Sequence, residues 1–329
     1  MGISIIATGG YVPERVVTNE ELCTIVEDAT PEWILNRAGI ASRRYAAPEQ
    51  ATSDLAAIAA ARALAVSGLA AADIDYLIVA TSTGDSPAPP TSCFVQDQIA
   101  ARNAACFDVN AVCSGFVFGL EIARSLVSAN PGTHALVVGA DLYSRFLDYR
   151  DRRTSVLFGD GAGAVIVAEV PGELGILDTY LSSYGDAHEL IKLEGGGSRF
   201  PPSAASIAEG RHYVTMRGRD VRDFVLDNVP ALVDKVLSRA GVAREDVDCF
   251  IPHQANGVLI DELAARCGLE GAHNHRIVRT FGNLGSASLP VALDEGVRSA
   301  RIWPGDLVLM AAFGAGMAAG VCLMRWGTS

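Results

Sequence analysis

Residues 63–80 read ALAVSGLAAADIDYLIVA and residues 236–253 read VLSRAGVAREDVDCFIPH, and the two stretches align without a gap. Gly68 falls on Gly241, Asp73 on Asp246 and Asp75 on Asp248, each pair 173 positions apart. The same offset carries Pro131–Gly132 onto Pro304–Gly305. A glycine-rich run, FGDGAGAVIV from Phe158, has its counterpart in FGAGMAAGVCL from Phe313. That period is far longer than the roughly 20–50 residues of a solenoid repeat, so it marks a duplicated domain. Each copy spells a helix, a glycine stop, a short acidic loop and an apolar run suited to a buried strand. Helices alternating with apolar strands predict an α/β fold, two halves with covered sheets stacked as a layered sandwich. The halves are placed at residues 1–172 and 173–329. Residues 178–215, rich in Ser, Gly and Pro, are expected as an elaborated surface loop of the second half.

Charge narrows the partners. The chain carries 26 Lys and Arg against 38 Asp and Glu, a formal net charge of −12, which disfavours nucleic acid and anionic lipid. Leu307 to Met324 runs without a charge, but Gly314, Gly316 and Gly320 interrupt it. Two buried strands joined by a glycine turn fit it better than a membrane span. The seven cysteines are odd in number and form no CxxC pair, and the opening MGISIIATGGYVP has no basic start or long apolar core. A reducing, cytoplasmic location follows as the expectation, with each cysteine either core filler or a reactive thiol.

One thiol stands apart. Cys113, in DVNAVCSGFVFGLEIARSL, follows a strand-like approach and precedes an amphipathic helix. Partial positive charge at a helix amino end is expected to lower its pKa, and Ser114 and Gly115 leave room beside the sulfur. His253 follows the apolar strand CFIP and opens another helix start, the place where α/β folds carry functional groups. Asn283 lies in a Gly- and Ser-rich loop, RTFGNLGSAS, where asparagine is usually a turn former. His273 and His275 form an H-N-H pair with no further ligand at metal spacing and are read as surface loop residues; no metal site is expected. The runs FGDGAGA and FGAGMAAG lead into strands rather than helices, so tight strand packing explains them better than a nucleotide cradle.

Cys113, His253 and Asn283 with their flanks resemble the ketoacyl synthase III family. The motifs GYVPERVVTNEEL, EWILNRAGIASRRYAA, DVNAVCSGF, TSVLFGDGAGA, IPHQAN, FGNLGSASLP and AAFGAG occur in that order over nearly the whole chain. The resemblance implies the thiolase-like fold, an αβαβα sandwich of duplicated halves, in agreement with the internal repeat. It implies that Cys113 takes an acyl group from an acyl-CoA primer. His253 and Asn283 then support decarboxylation of a malonyl thioester, malonyl-ACP or malonyl-CoA, to a β-ketoacyl product. Backbone N–H groups of Cys113 and Ala315 would form the oxyanion hole. Trp33, Arg37 and Arg152 match positions that hold coenzyme A, and Asn256 closes the IPHQAN motif of the substrate-binding set. No cofactor is implied, and a homodimer is. Ala88 stands where short-chain members carry a bulky aromatic, which implies room for a longer or branched primer. Asp223, Val258 and Ala265 thin the basic face that docks acyl carrier protein, with Arg219, Arg222 and Arg266 nearby. A different reaction class, transfer of the acyl group from Cys113 to an alcohol or amine, would not require Asn283.

Overall fold

The computed structural model describes residues 1–172 and 174–327. Ten strands build two five-stranded sheets. The first holds β1 (Gly2–Tyr11), β2 (Tyr76–Ala80), β3 (Ala105–Val109), β4 (Ala135–Leu142) and β5 (Asp160–Val170). The second holds β6 (Gly175–Ser183), β7 (Cys249–Pro252), β8 (His273–Asn274), β9 (Leu307–Gly314) and β10 (Ala318–Arg325). Both sheets have the same order. It runs β1-β5-β4-β2-β3 in one and β6-β10-β9-β7-β8 in the other, each with two antiparallel pairings followed by two parallel ones. The boundary expected between residues 172 and 173 abuts Glu173, which lies outside the described residues, as do Thr328 and Ser329.

Among the described residues, seven helices of eight or more residues complete the fold: α1 (Pro31–Ala38), α2 (Thr52–Ser67), α3 (Thr91–Gln98), α4 (Gly115–Ala129), α5 (Gly218–Ala240), α6 (Gly257–Cys267) and α7 (Ser288–Arg298). The amphipathic α4 and α7 lie between the sheets. Phe116, Leu120, Leu289 and Leu293 pack there against Ile78, Val137 and Val165 of one sheet and Ile251, Val308 and Met310 of the other. The outer face of the first sheet is covered by α2, and that of the second by α5 and α6. This is the layered sandwich that the duplication predicted, with the five layers that the resemblance implied.

The repeat is legible down to single hydrogen bonds. Gly68 and Gly241 end α2 and α5 in left-handed conformations, φ 72° and 66°, which a side chain would disfavour. Asp75 accepts from the His134 N–H and Asp248 from the Leu307 N–H, both at 2.8 Å, and each thereby holds the start of a neighbouring strand. Leu307–Met324 folds as the predicted pair of buried strands. Among the described residues, Val112–Ala129 is the one segment long and apolar enough to cross a membrane by length and composition; here it is a 3₁₀ turn followed by α4, one of the two helices of the central layer.

Three expectations need correction. Residues 178–215 are not simply a loop, because β6 runs to Ser183 and the rest carries a two-stranded hairpin, Ile191–Leu193 with Val214–Met216, and a short helix. Cys106, which by sequence alone is expected just ahead of the strand leading to Cys113, lies within that strand, β3. His275 is buried and its Nε2 meets the Glu295 carboxylate, while Nδ1 lies 3.2 Å from His273 Nε2. An alternating polar pattern hides such burial, because the partner carboxylate sits on a distant helix.

Candidate active site

Cys113 occupies the crossing from β3 to α4. After Asn110 the chain makes a tight 3₁₀ turn, Val112–Ser114, with Val112 at φ 48°, a left-handed conformation that a β-branched residue rarely adopts. The strained turn is tied to the other half, where Ser114 Oγ donates to the Ala318 carbonyl at 2.9 Å. Gly314 approaches so closely that an added Cβ would lie 2.8 Å from the Cys113 nitrogen. Only a glycine lets the β9 end pass beside the thiol.

His253 is placed by the end of β7. Its N–H donates to the Ala311 carbonyl of β9 at 2.8 Å, and its ring stands edge-on to Phe313 with centroids 5.1 Å apart. Gln254, which sequence reasoning passed over, anchors the loop from within. Its Nε2 donates to the Pro252 carbonyl, and its Oε1 accepts from Ile277 and Val278. Asn283 bridges to the first half, accepting from the Gly159 N–H and donating to the Leu157 carbonyl. Its Oδ1 accepts from the Gly285 N–H at 2.9 Å, which orients the amide.

These three side chains line one chamber of about 870 Å³, together with Val112, Tyr143, Phe158, Phe313, Gly314 and Ala315. Cys113 is 7 % exposed, His253 2 % and Asn283 5 %. Burial sets their charge states. The imidazole is pushed down from 6.5 to about 3, so it is neutral at ordinary pH. The Cys113 thiol is pushed up by burial and then by the Asp141 carboxylate, with its own backbone N–H opposing them. Burial thus outweighs the helix amino end here, against the lowered pKa that the sequence suggested.

The chamber opens past Trp33 and five arginines, Arg37, Arg152, Arg153, Arg219 and Arg222, with Asp223 and Glu262 on the same rim, on a chain of net charge −12. The Arg152 guanidinium lies 4.7 Å over the Trp33 ring and also meets the Asp28 carbonyl. Asn256 faces the same space, but both ends of its amide are already engaged. Its Oδ1 caps α6 through Val258 and Leu259, and its Nδ2 donates to the Arg37 carbonyl. Ala88 lies on an exposed loop and does not line the chamber of its own chain. Tyr143 lines it instead, stacked on Phe158 with centroids 4.6 Å apart and with its hydroxyl 2.7 Å from Ser82 Oγ. Sequence reasoning missed Tyr143 because nothing local distinguishes a chamber wall from a core aromatic.

Comparison with known proteins agrees with this geometry. The profile of the 3-oxoacyl-(acyl-carrier-protein) synthase III family matches residues 107–185, and the profile of its C-terminal part matches residues 237–326. The chain is 46 % identical over 327 residues to acetoacetyl CoA synthase NphT7 of Streptomyces sp. (strain CL190), covering 98 % of each. It is 43 % identical over 327 residues to a beta-ketoacyl-(acyl-carrier-protein) synthase III of Syntrophomonas wolfei, covering 99 % of this chain and 98 % of that one. The crystal structure of the 3-oxoacyl-(acyl-carrier-protein) synthase III from Aquifex aeolicus VF5 superposes with a TM-score of 0.91 at 37 % identity, covering 99 % of this chain and all of that one.

Proposed function

The chain belongs to the 3-oxoacyl-(acyl-carrier-protein) synthase III family and is a decarboxylating condensing acyltransferase, and from that premise we propose how its own residues divide the reaction. The Cys113 sulfur attacks the carbonyl of an acyl-CoA; a C–S bond forms, and the thiol proton leaves with coenzyme A. Backbone N–H groups of Cys113 and Ala315 hold the tetrahedral oxyanion. A malonyl thioester then enters, and its carbon dioxide leaves the bonding electrons on the α-carbon. His253 and Asn283 donate to the thioester oxygen as it takes on enolate charge. The carbanion attacks the acyl–Cys113 carbonyl, and the thiolate is expelled and reprotonated. Decarboxylation supplies the electron pair, so this scheme calls for no metal or redox group. Neutral donors are suited to the task, because the oxygen is charged only near the transition state.

The observation that carries this reading is the shared chamber, with a neutral imidazole and an oriented amide facing one buried thiol. Trp33, Arg37 and Arg152 at its mouth suit the adenine and phosphates of coenzyme A. Tyr143 supports a short primer, and the relationship to an acetoacetyl CoA synthase points the same way. That relative also favours malonyl-CoA as extender, as does the outer rim. There Arg222 is engaged by Glu262 and Asp223, and Arg266 lies 3.7 Å from Asp227, so that of the three arginines beside the thinned docking face only Arg219 has no acidic partner among the described residues. A homodimer is supported by β3, an edge strand whose Phe107 and Val109 are only half-buried.

The test separates the two half-reactions. Intact-protein mass after acetyl-CoA should show one acetyl group, mapped to Cys113 and absent from Cys113→Ala. His253→Ala and Asn283→Ala should still acylate while losing malonyl-CoA decarboxylation by over about a hundredfold, the scale of one oxyanion donor. Acylation elsewhere, or normal decarboxylation by either variant, would overturn the assignment. A preference for malonyl-ACP over malonyl-CoA in kcat/KM would reject the extender choice alone.

A further inference from the structure

At the end of β4 lies a carboxylate that the reaction scheme does not use. Asp141 is 0 % exposed and has no salt bridge among the described residues. Five donors converge on it. Oδ1 accepts from Ser82 N at 2.9 Å, Ser82 Oγ at 3.0 Å, Thr83 Oγ1 at 2.9 Å and Thr81 Oγ1 at 3.3 Å, and Oδ2 accepts from Ser286 N at 2.7 Å. The first four come from the segment after β2. The fifth comes from the other half, from the 3₁₀ turn Gly285–Ala287 that follows Asn283.

The internal repeat explains the placement. At the offset of 173, Asn110 falls on Asn283, Val112 on Gly285, Cys113 on Ser286 and Asp141 on Gly314. The two turns share a conformation. Val112 and Gly285 both have positive φ, 48° and 58°, and each donates its N–H to the asparagine two residues before it. In the copy that carries Cys113, the strand end is glycine and the space beside the turn is left for the reaction's oxyanion. In the other copy the strand end is Asp141, and its carboxylate fills the corresponding anion position on the Ser286 N–H. The fit admits nothing larger, because a Cβ on Gly285 would fall on Asp141 Oδ2 and on the Tyr143 ring.

We propose that Asp141 is a positioning residue for the malonyl half-reaction: it grips, across the seam between the halves, the turn whose Gly285 N–H orients the Asn283 amide. The proposal rests on the reading that Asn283 serves the enolate. A misplacement of about 1 Å in such a donor is enough for a loss of about a hundredfold. Ser82 extends the same grip to the chamber wall, since its hydroxyl donates to Asp141 and accepts from Tyr143. Asparagine is the informative replacement. It keeps the volume, but its NH₂ must face either the Ser286 N–H, which cannot accept, or the other side, where the Thr81, Ser82 and Thr83 hydroxyls already accept from Thr83 N, Tyr143 Oη and Leu142 N.

The test compares Asp141→Asn, Asn283→Ala and the double variant in two assays, acylation by acetyl-CoA and decarboxylation of malonyl-CoA. In Asp141→Asn, kcat for decarboxylation should fall about tenfold to a hundredfold with KM little changed. Cys113 acylation should hold or rise, because removing the carboxylate charge eases thiol deprotonation. The double variant should decarboxylate no worse than Asn283→Ala, since a residue acting through Asn283 adds nothing once that amide is gone. Equal losses in both assays, or additive losses in the double variant, would overturn the proposal. If Asp141→Asn does not fold, Ser82→Ala, which removes one donor and the Tyr143 arm, takes its place with the same split expected and the same equal loss fatal. Normal decarboxylation by Asn283→Ala would instead overturn the reading beneath it.

Discussion

At Cys113 a helix amino end and a buried pocket act in opposite senses, and burial prevails. Tyr143 is one wall of the chamber, its ring stacked on Phe158 and its hydroxyl held by Ser82. Tyr143→Leu should open that wall, and each methylene of primer buried there is worth about 0.8 kcal/mol, close to fourfold. The ratio of butyryl-CoA to acetyl-CoA acylation should accordingly rise about tenfold or more over the parent protein. An unchanged ratio, measured as kcat/KM for Cys113 acylation, would mean that another side chain closes the pocket.

Glycines set how closely the elements approach one another, and their roles differ. Gly163 in β5 packs beneath α7, where an added Cβ would lie 2.7 Å from the Pro290 carbonyl carbon and the Val291 nitrogen. Gly241, at the end of α5, has nothing within 4 Å but sits at φ 66°. Gly163→Ala should cost about 1–3 kcal/mol by forcing the central layer apart. Gly241→Ala should cost about 1 kcal/mol, for backbone conformation alone. Urea unfolding of the two variants tests the ordering, and a smaller loss at Gly163 would show that the α7 layer can yield. The sequence-level repeat already paired Gly241 with Gly68 and so identified both as helix stops. It did not reveal the contact at Gly163, which depends on a helix more than a hundred residues away.

Across the whole molecule, the buried chamber ties stability to pH. His253, down from 6.5 to about 3 by burial, stays neutral in the folded chain while the unfolded chain takes up a proton below 6.5. Its contribution is complete above that value and is lost as pH falls toward 3, at about 1.4 kcal/mol per pH unit within the window. Asp141 and Asp160, pushed up by burial, act in the opposite sense and are common to the parent and to His253→Gln. Denaturant titrations from pH 7 to 4 should therefore show the parent losing stability more steeply than the variant, and parallel curves would count against a neutral buried imidazole. The duplication, the α/β class, the paired strands at the carboxy end and the trio Cys113, His253 and Asn283 could all be read from the sequence. Repeats, strand runs and motif order are local or periodic signals that survive in one dimension. The upward shift of the Cys113 thiol, Tyr143 in the wall, the buried His275 and the reach of Asp141 to Ser286 could not. Desolvation and donor geometry depend on which segments meet in space, and here they meet at the seam where two copies of one ancestral pattern close on each other. The offset of 173 already set Asp141 opposite Gly314, a carboxylate against a glycine, but only the packed halves show that the one fills an anion position which the other leaves open.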